Sequence, residues 1–88
     1  MSVTVVVELK IEDYRKFEVI FDERASARAA AGIEVKPYRV IDDANRVIAI
    51  GTAPSKEAFW GFMTSSEQQE AMKNAGVQGP PNVTFLQG

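Results

Sequence analysis

An α+β fold with the element order β-α-β-β-α-β is predicted by three observations. A strictly alternating apolar stretch opens the chain. Two helix-periodic regions follow, each ending at a glycine. The β-rich stretches fall singly or in pairs around them. At 88 residues, the chain has room for one small domain, taken as residues 1–88.

The first strand is Val3 to Ile11. Val3, Val5, Val7, Leu9 and Ile11 line one side without a break, and Thr4, Val6, Glu8 and Lys10 line the other. Asp13 then stands as a helix N-cap, with Glu12 beside it to complement the positive end of the helix dipole. From Tyr14 to Ala31 the pattern is helical: Tyr14, Phe17, Ile20, Phe21, Ala27 and Ala31 share one side, and Gly32 takes the position after the last turn. Ile33 to Ile41 reads as a second strand. Its Pro37 cannot donate to a ladder, which assigns it to a sheet edge or a bulge. Asp42-Asp43-Ala44-Asn45 is a polar turn, and Arg46 to Ala53 returns as a third strand, apolar on both sides and therefore central. Ser55 caps a short helix ending at Phe62 or Met63. Ser65, with Gln68 three residues on, opens a second helical piece, Ser66 to Ala75, closed by Gly76. Gly79-Pro80-Pro81 stiffens the connection to a last strand, Asn82 to Gln87.

This order is that of the ferredoxin-like split βαβ sandwich: a four-stranded antiparallel sheet, first and third strands central, with both helical regions on one face. The later strands carry apolar residues on both sides, as in Ile48 and Ile50 opposite Val47 and Ala49, or Leu86 opposite Phe85. Helices on one face leave the other wet. Hiding about 400 Å² of it would contribute roughly 10 kcal/mol before entropic costs. A second copy of the chain is the expected cover, giving a homodimer with a chamber between sheets where a small organic ligand could sit.

Composition removes most other chemistry. The chain has no Cys and no His, which excludes disulfides, Cys/His metal sites, His general bases and Ser-His-Asp triads. No metal and no cofactor is expected. Ten Lys and Arg against twelve Asp and Glu give a net charge of −2, unlike the basic face of a nucleic-acid binder. The longest apolar run near the N-terminus is Val5 to Val7, too short for a signal peptide or a membrane anchor. No nucleic-acid partner, no membrane partner and a cytoplasmic location are the expectations.

Several segments carry a family resemblance: Glu12-Asp13-Tyr14, Phe21-Asp22-Glu23, the hairpin Asp42-Asp43-Ala44-Asn45-Arg46-Val47, and the tail Ala71 to Pro81. Through them the chain resembles the dimeric α/β-barrel superfamily, which includes antibiotic-biosynthesis-monooxygenase-like proteins, small cyclases and muconolactone-isomerase-like proteins. The resemblance implies the fold and pairing of two copies. It leaves two functions open, ligand binding without catalysis and cofactor-independent oxygenation, cyclisation or isomerisation of an aromatic or polyketide-like substrate. Several relatives carry a His near the second helix. Here Ala58-Phe59-Trp60-Gly61-Phe62-Met63 offers none, so haem chemistry through such a ligand is not expected.

Five residues are candidates for the site. Arg24 and Arg28 fall about 20° either side of Phe17 on the helical wheel, inside the apolar stripe. They either pair with Glu67 or Glu70 or form an anion-recognising pair at a pocket mouth. Glu8 faces the space between sheets, where desolvation would suit it to acid–base work, unless it is solvated or paired with Lys10 or Lys36. Tyr38 offers a hydroxyl to a ligand or packs as an interface aromatic. Trp60, about 100° from Phe59 on its helix, lines a pocket or covers the dimer seam. Asp42, Asp43 and Asn45 form a turn, lacking the further ligands of a calcium loop.

Overall fold

The first strand, β1 (Val3–Lys10), takes the middle of the sheet because its odd residues have nowhere else to go: Val5, Val7 and Leu9 are all buried. The computed structural model describes residues 2–87. In it β1 pairs antiparallel with β3 (Asp43–Ala53) on one side and β4 (Asn82–Leu86) on the other. An edge strand, β2 (Glu34–Val40), pairs with β3, so the order across the sheet is β2-β3-β1-β4. This is the ferredoxin-like arrangement, with β1 and β3 central and Pro37 on an edge. Ile11 continues β1 as a single bridge to Val77.

Four helices cover the odd-numbered face: α1 (Tyr14–Glu23), α2 (Ala25–Ala30), α3 (Lys56–Met63) and α4 (Ser66–Asn74). The predicted caps are in place, with Asp13 accepting from the Arg15 amide, Ser55 from Ala58 and Ser65 from Gln68. Phe17 from α1, with Phe59 and Met63 from α3, packs onto Val5, Val7, Leu9, Val47 and Ala49 of the sheet. None of the helices is long and apolar enough to cross a membrane.

Two expectations are corrected. The single helix expected over Tyr14–Ala31 is broken at Arg24, whose amide bonds back to both Ile20 O and Phe21 O. Phe17 anchors α1 in the core, whereas the alanine-rich α2 buries no residue and is free to turn toward Ile33. The hairpin is also tighter than the four-residue turn Asp42–Asn45. The turn is Ile41-Asp42 and β3 begins at Asp43, because Asn45 is drawn onto the end of β1. Its side-chain amide donates to Ile11 O (3.0 Å) and Glu12 O (3.3 Å), while the Asn45 backbone carbonyl accepts from Ile11 N (2.8 Å). The register between β2 and β3 jumps at Arg39/Val40 as a result.

The even-numbered face carries Val6, Ile48 and Ile50 at its middle, with Tyr38 beside Ile48 and Leu86 beside Thr4. Tyr38, Ile50 and Leu86 are 48%, 44% and 48% exposed. The apolar surplus read from the sequence is therefore uncovered in the isolated chain.

Candidate functional site

Between the helices and the sheet lies an apolar pocket with a cavity volume of about 70 Å³, several times the roughly 10–15 Å³ that one water needs. Its floor is Val7, Leu9 and Ala49 of the sheet. Its walls come from Phe17, Ile20 and Phe21 of α1, Phe59 and Phe62 of α3, and Ala71 and Met72 of α4. The polar side chains in the lining are Arg24, Arg28 and Gln68.

The break between α1 and α2 places the two arginines. Arg24 donates from Nε to Gln68 Oε1 (2.9 Å) and lies 5.5 Å from the Phe62 ring. Arg28 stacks 3.6 Å from the Phe21 ring and donates to the Phe21 carbonyl (2.8 Å). Burial pushes the Arg28 guanidinium below its ordinary range; attraction to Asp22 opposes this and repulsion from Arg24 adds to it. It stays protonated at neutral pH. The expected ion pairs to Glu67 or Glu70 do not form. Residue 68 is the one α4 turns toward Arg24, and the Glu67 carboxylate accepts from the Ser66 hydroxyl instead (2.8 Å).

Glu8 and Tyr38 stand on the opposite face of the sheet, both alongside Ile48. Glu8 is engaged by Arg46, which donates to Oε2 from Nε (3.0 Å) and from Nη2; neither Lys10 nor Lys36 is the partner. A shallow groove of about 310 Å³ beside Glu8 is edged by Lys10, Gln78, Pro80 and Asn82. Trp60 is outside the pocket lining, packed edge-on against Phe59 and Phe85 with ring centroids 5.8 and 6.1 Å away. The five candidates thus divide into Arg24 and Arg28 at the pocket, Glu8 and Tyr38 on the open face, and Trp60 on the outer helical surface.

Sequence reasoning missed Gln68 and Arg46. Its spacing from Ser65 marks Gln68 as part of the helix start, but its side chain reaches Arg24 instead of returning to Ser65. Arg46 lies diagonal to Glu8 only once Glu8 is set opposite Ile48, and that register cannot be read from either strand alone.

The arrangement of strands and helices is shared with solved structures. A candidate antibiotic biosynthesis monooxygenase from Bordetella bronchiseptica superposes with a TM-score of 0.80 at 18% identity, covering 99% of this chain and 96% of that one. SnoaB, a cofactor-independent oxygenase from Streptomyces nogalater, gives 0.76 at 15% identity, covering 99% and 92%. A candidate antibiotic biosynthesis monooxygenase from Caulobacter crescentus gives 0.75 at 17% identity, covering 97% and 87%. No family model matches the chain, and no curated protein is similar to it in sequence. At these identities the likeness establishes the fold: the chain has the ferredoxin-like architecture of the antibiotic-biosynthesis-monooxygenase-like proteins.

Proposed function

We propose that this protein binds a small, largely apolar organic molecule in the pocket between sheet and helices, and that it does so as a homodimer joined through the open sheet face. One observation carries the binding reading. The layer between sheet and helices holds an unfilled, partly open space lined almost wholly by apolar side chains, which a chain packed for stability alone would close. The uncovered Val6, Ile48 and Ile50 support the pairing.

A thermal-shift screen of aromatic acids and polyketide-like compounds tests the binding. A compound at one hundred times its Kd adds about 2.7 kcal/mol of stability, or roughly 15 °C in a domain of this size. Ala71→Leu, whose three added carbons match the cavity and fill it from α4, should abolish the shift. Compounds that stabilise this variant as much as the wild type bind elsewhere and refute the assignment, as does a screen in which nothing binds.

The likeness to SnoaB favours a second reading, cofactor-independent oxygenation. In that reaction an activated methylene and dioxygen give a carbonyl and water, with the substrate's own carbanion supplying the electrons. Among the described residues the pocket lining holds no carboxylate, lysine or tyrosine to act as base. Glu8 and Tyr38 lie across the sheet from it, where they could act only in a chamber formed with a second copy. Oxygenation in the pocket is therefore restricted to substrates acidic enough to ionise beside Arg24 and Arg28. Oxygen uptake with an acidic aromatic methylene compound, retained in Glu8→Gln and Tyr38→Phe variants, is the expected result for this reading. Loss of uptake in either variant would move the chemistry to the open face.

A further inference from the structure

We infer that the molecule held in the pocket is an organic anion, with an apolar ring or chain for the interior and one carboxylate, phenolate or enolate group at its edge for Arg24 and Arg28. This rests on the pocket reading above and specifies the chemistry of the occupant.

The argument starts from donors without acceptors. Arg24 uses only Nε and Arg28 only Nη1 toward the protein. Among the described residues no oxygen accepts from Arg24 Nη1 and Nη2, from Arg28 Nε and Nη2, or from the Gln68 side-chain amide. These are the polar side chains at an otherwise apolar pocket, so a bound molecule that reaches its edge meets residues with donors to spare. An anionic oxygen is the acceptor that guanidinium geometry suits best.

Charge placement points the same way. Arg24 and Arg28 are four residues apart, a spacing at which like charges repel, and Arg28 is partly desolvated as well. Neither forms an ion pair within 4 Å; the pairs among the described residues are Lys16–Glu12 and Arg46–Glu8. Asp22 attracts Arg28 only from beyond that distance. Acidic side chains exist nearby on α4, yet the residue turned toward Arg24 is the neutral Gln68. Asp22 and Glu67 attract the pair only through space, so among the described residues no carboxylate takes the arginines' free donors, and a bound anion would.

Three probes with one short branched carbon skeleton, sized to the cavity of about 70 Å³, test this on the full chain by calorimetric titration: isobutyrate, isobutanol and isobutylammonium. The expected order is acid tightest and ammonium weakest, with the acid ahead of the alcohol by about 10- to 100-fold, the range of one charge-assisted hydrogen bond. In the Arg24→Gln/Arg28→Gln double variant that gap should close while the alcohol still binds, which also reports that the pocket has folded. If the variant does not fold, the ranking on the wild-type chain decides alone. Equal binding of acid and alcohol, or a preference for the ammonium, overturns the anion inference and leaves the pocket standing. Failure of all three to bind overturns both.

Discussion

Replacing Ile50 by Glu is the most direct probe of the uncovered sheet face. Strands about 4.8 Å apart and a rise of about 3.3 Å per residue make a four-stranded face of roughly 400 Å². If about half of it is apolar, two such faces remove about 400 Å² of apolar surface from water, worth about 10 kcal/mol. Association costs about 4–15 kcal/mol in lost freedom, so the balance is narrow. An unpaired carboxylate buried at the centre costs about 3 kcal/mol or more, and in a two-fold interface it enters twice. Ile50→Glu should therefore weaken pairing by about 6 kcal/mol, more than 10⁴-fold in Kd. In the free chain Ile50 is already 44% exposed, so the fold should lose no more than about 1 kcal/mol. Sedimentation velocity from about 1 to 100 µM, a range that brackets micromolar association, should show a wild-type dimer and a folded monomeric variant. A wild-type chain that stays monomeric throughout, or a variant that pairs as tightly, would refute the reasoning.

Three other substitutions test the scaffold. A Cβ on Gly51 would lie 1.8 Å from the Glu34 carbonyl oxygen and 2.6 Å from Val35 Cα, backbone atoms that move only with the whole edge strand. Gly51→Ala should cost about 3 kcal/mol or more in a urea titration, and a loss under about 0.5 would show that β2 shifts freely. Asn45→Ala removes the amide that joins the hairpin to Ile11 and Glu12. Chemical denaturation should show a loss of about 1–2 kcal/mol, and no loss would mean water replaces the amide without penalty. Glu67 is held below the usual carboxylate range chiefly by a hydrogen bond from its own backbone amide, then by the Ser66 hydroxyl. Its stabilising contribution is present above the unfolded value of about 4.3 and lost as pH falls through the lower folded value. The melting-temperature gap between wild type and Glu67→Gln should therefore be positive at neutral pH and vanish in acid; a gap independent of pH would exclude this carboxylate.

The elements were legible wherever the physics was local. Unbroken alternation from Val3 to Ile11 placed a central strand, and Ser55 and Ser65 marked helix starts through side-chain geometry spanning three residues. Pro37 sits on an edge for want of an N–H. What escaped depended on distant partners. Nothing in Tyr14–Ala31 announces a break at Arg24, because the reason is that Phe17 has a core to enter and the alanines do not. The hairpin boundary moved because Asn45 answers to Ile11 and Glu12, 34 and 33 positions away. The candidate site was legible in its charged members but not in its grouping. Arg24 and Arg28 stood out as cations within an apolar stripe, and alternation alone set Glu8 on the far side of the sheet, yet the register that brings Tyr38 alongside it exists only once the strands have paired.

Strand β3 serves both surfaces by alternation, with Ala49 under the pocket and Ile48 and Ile50 facing outward. An insertion or deletion of a single residue among Val47–Gly51 would exchange floor for exterior along the rest of the strand. The turn at Ile41-Asp42, where Ile41 is 98% exposed, has no such constraint. Variation in length among descendants of this gene should accumulate at that loop and spare the strand's middle.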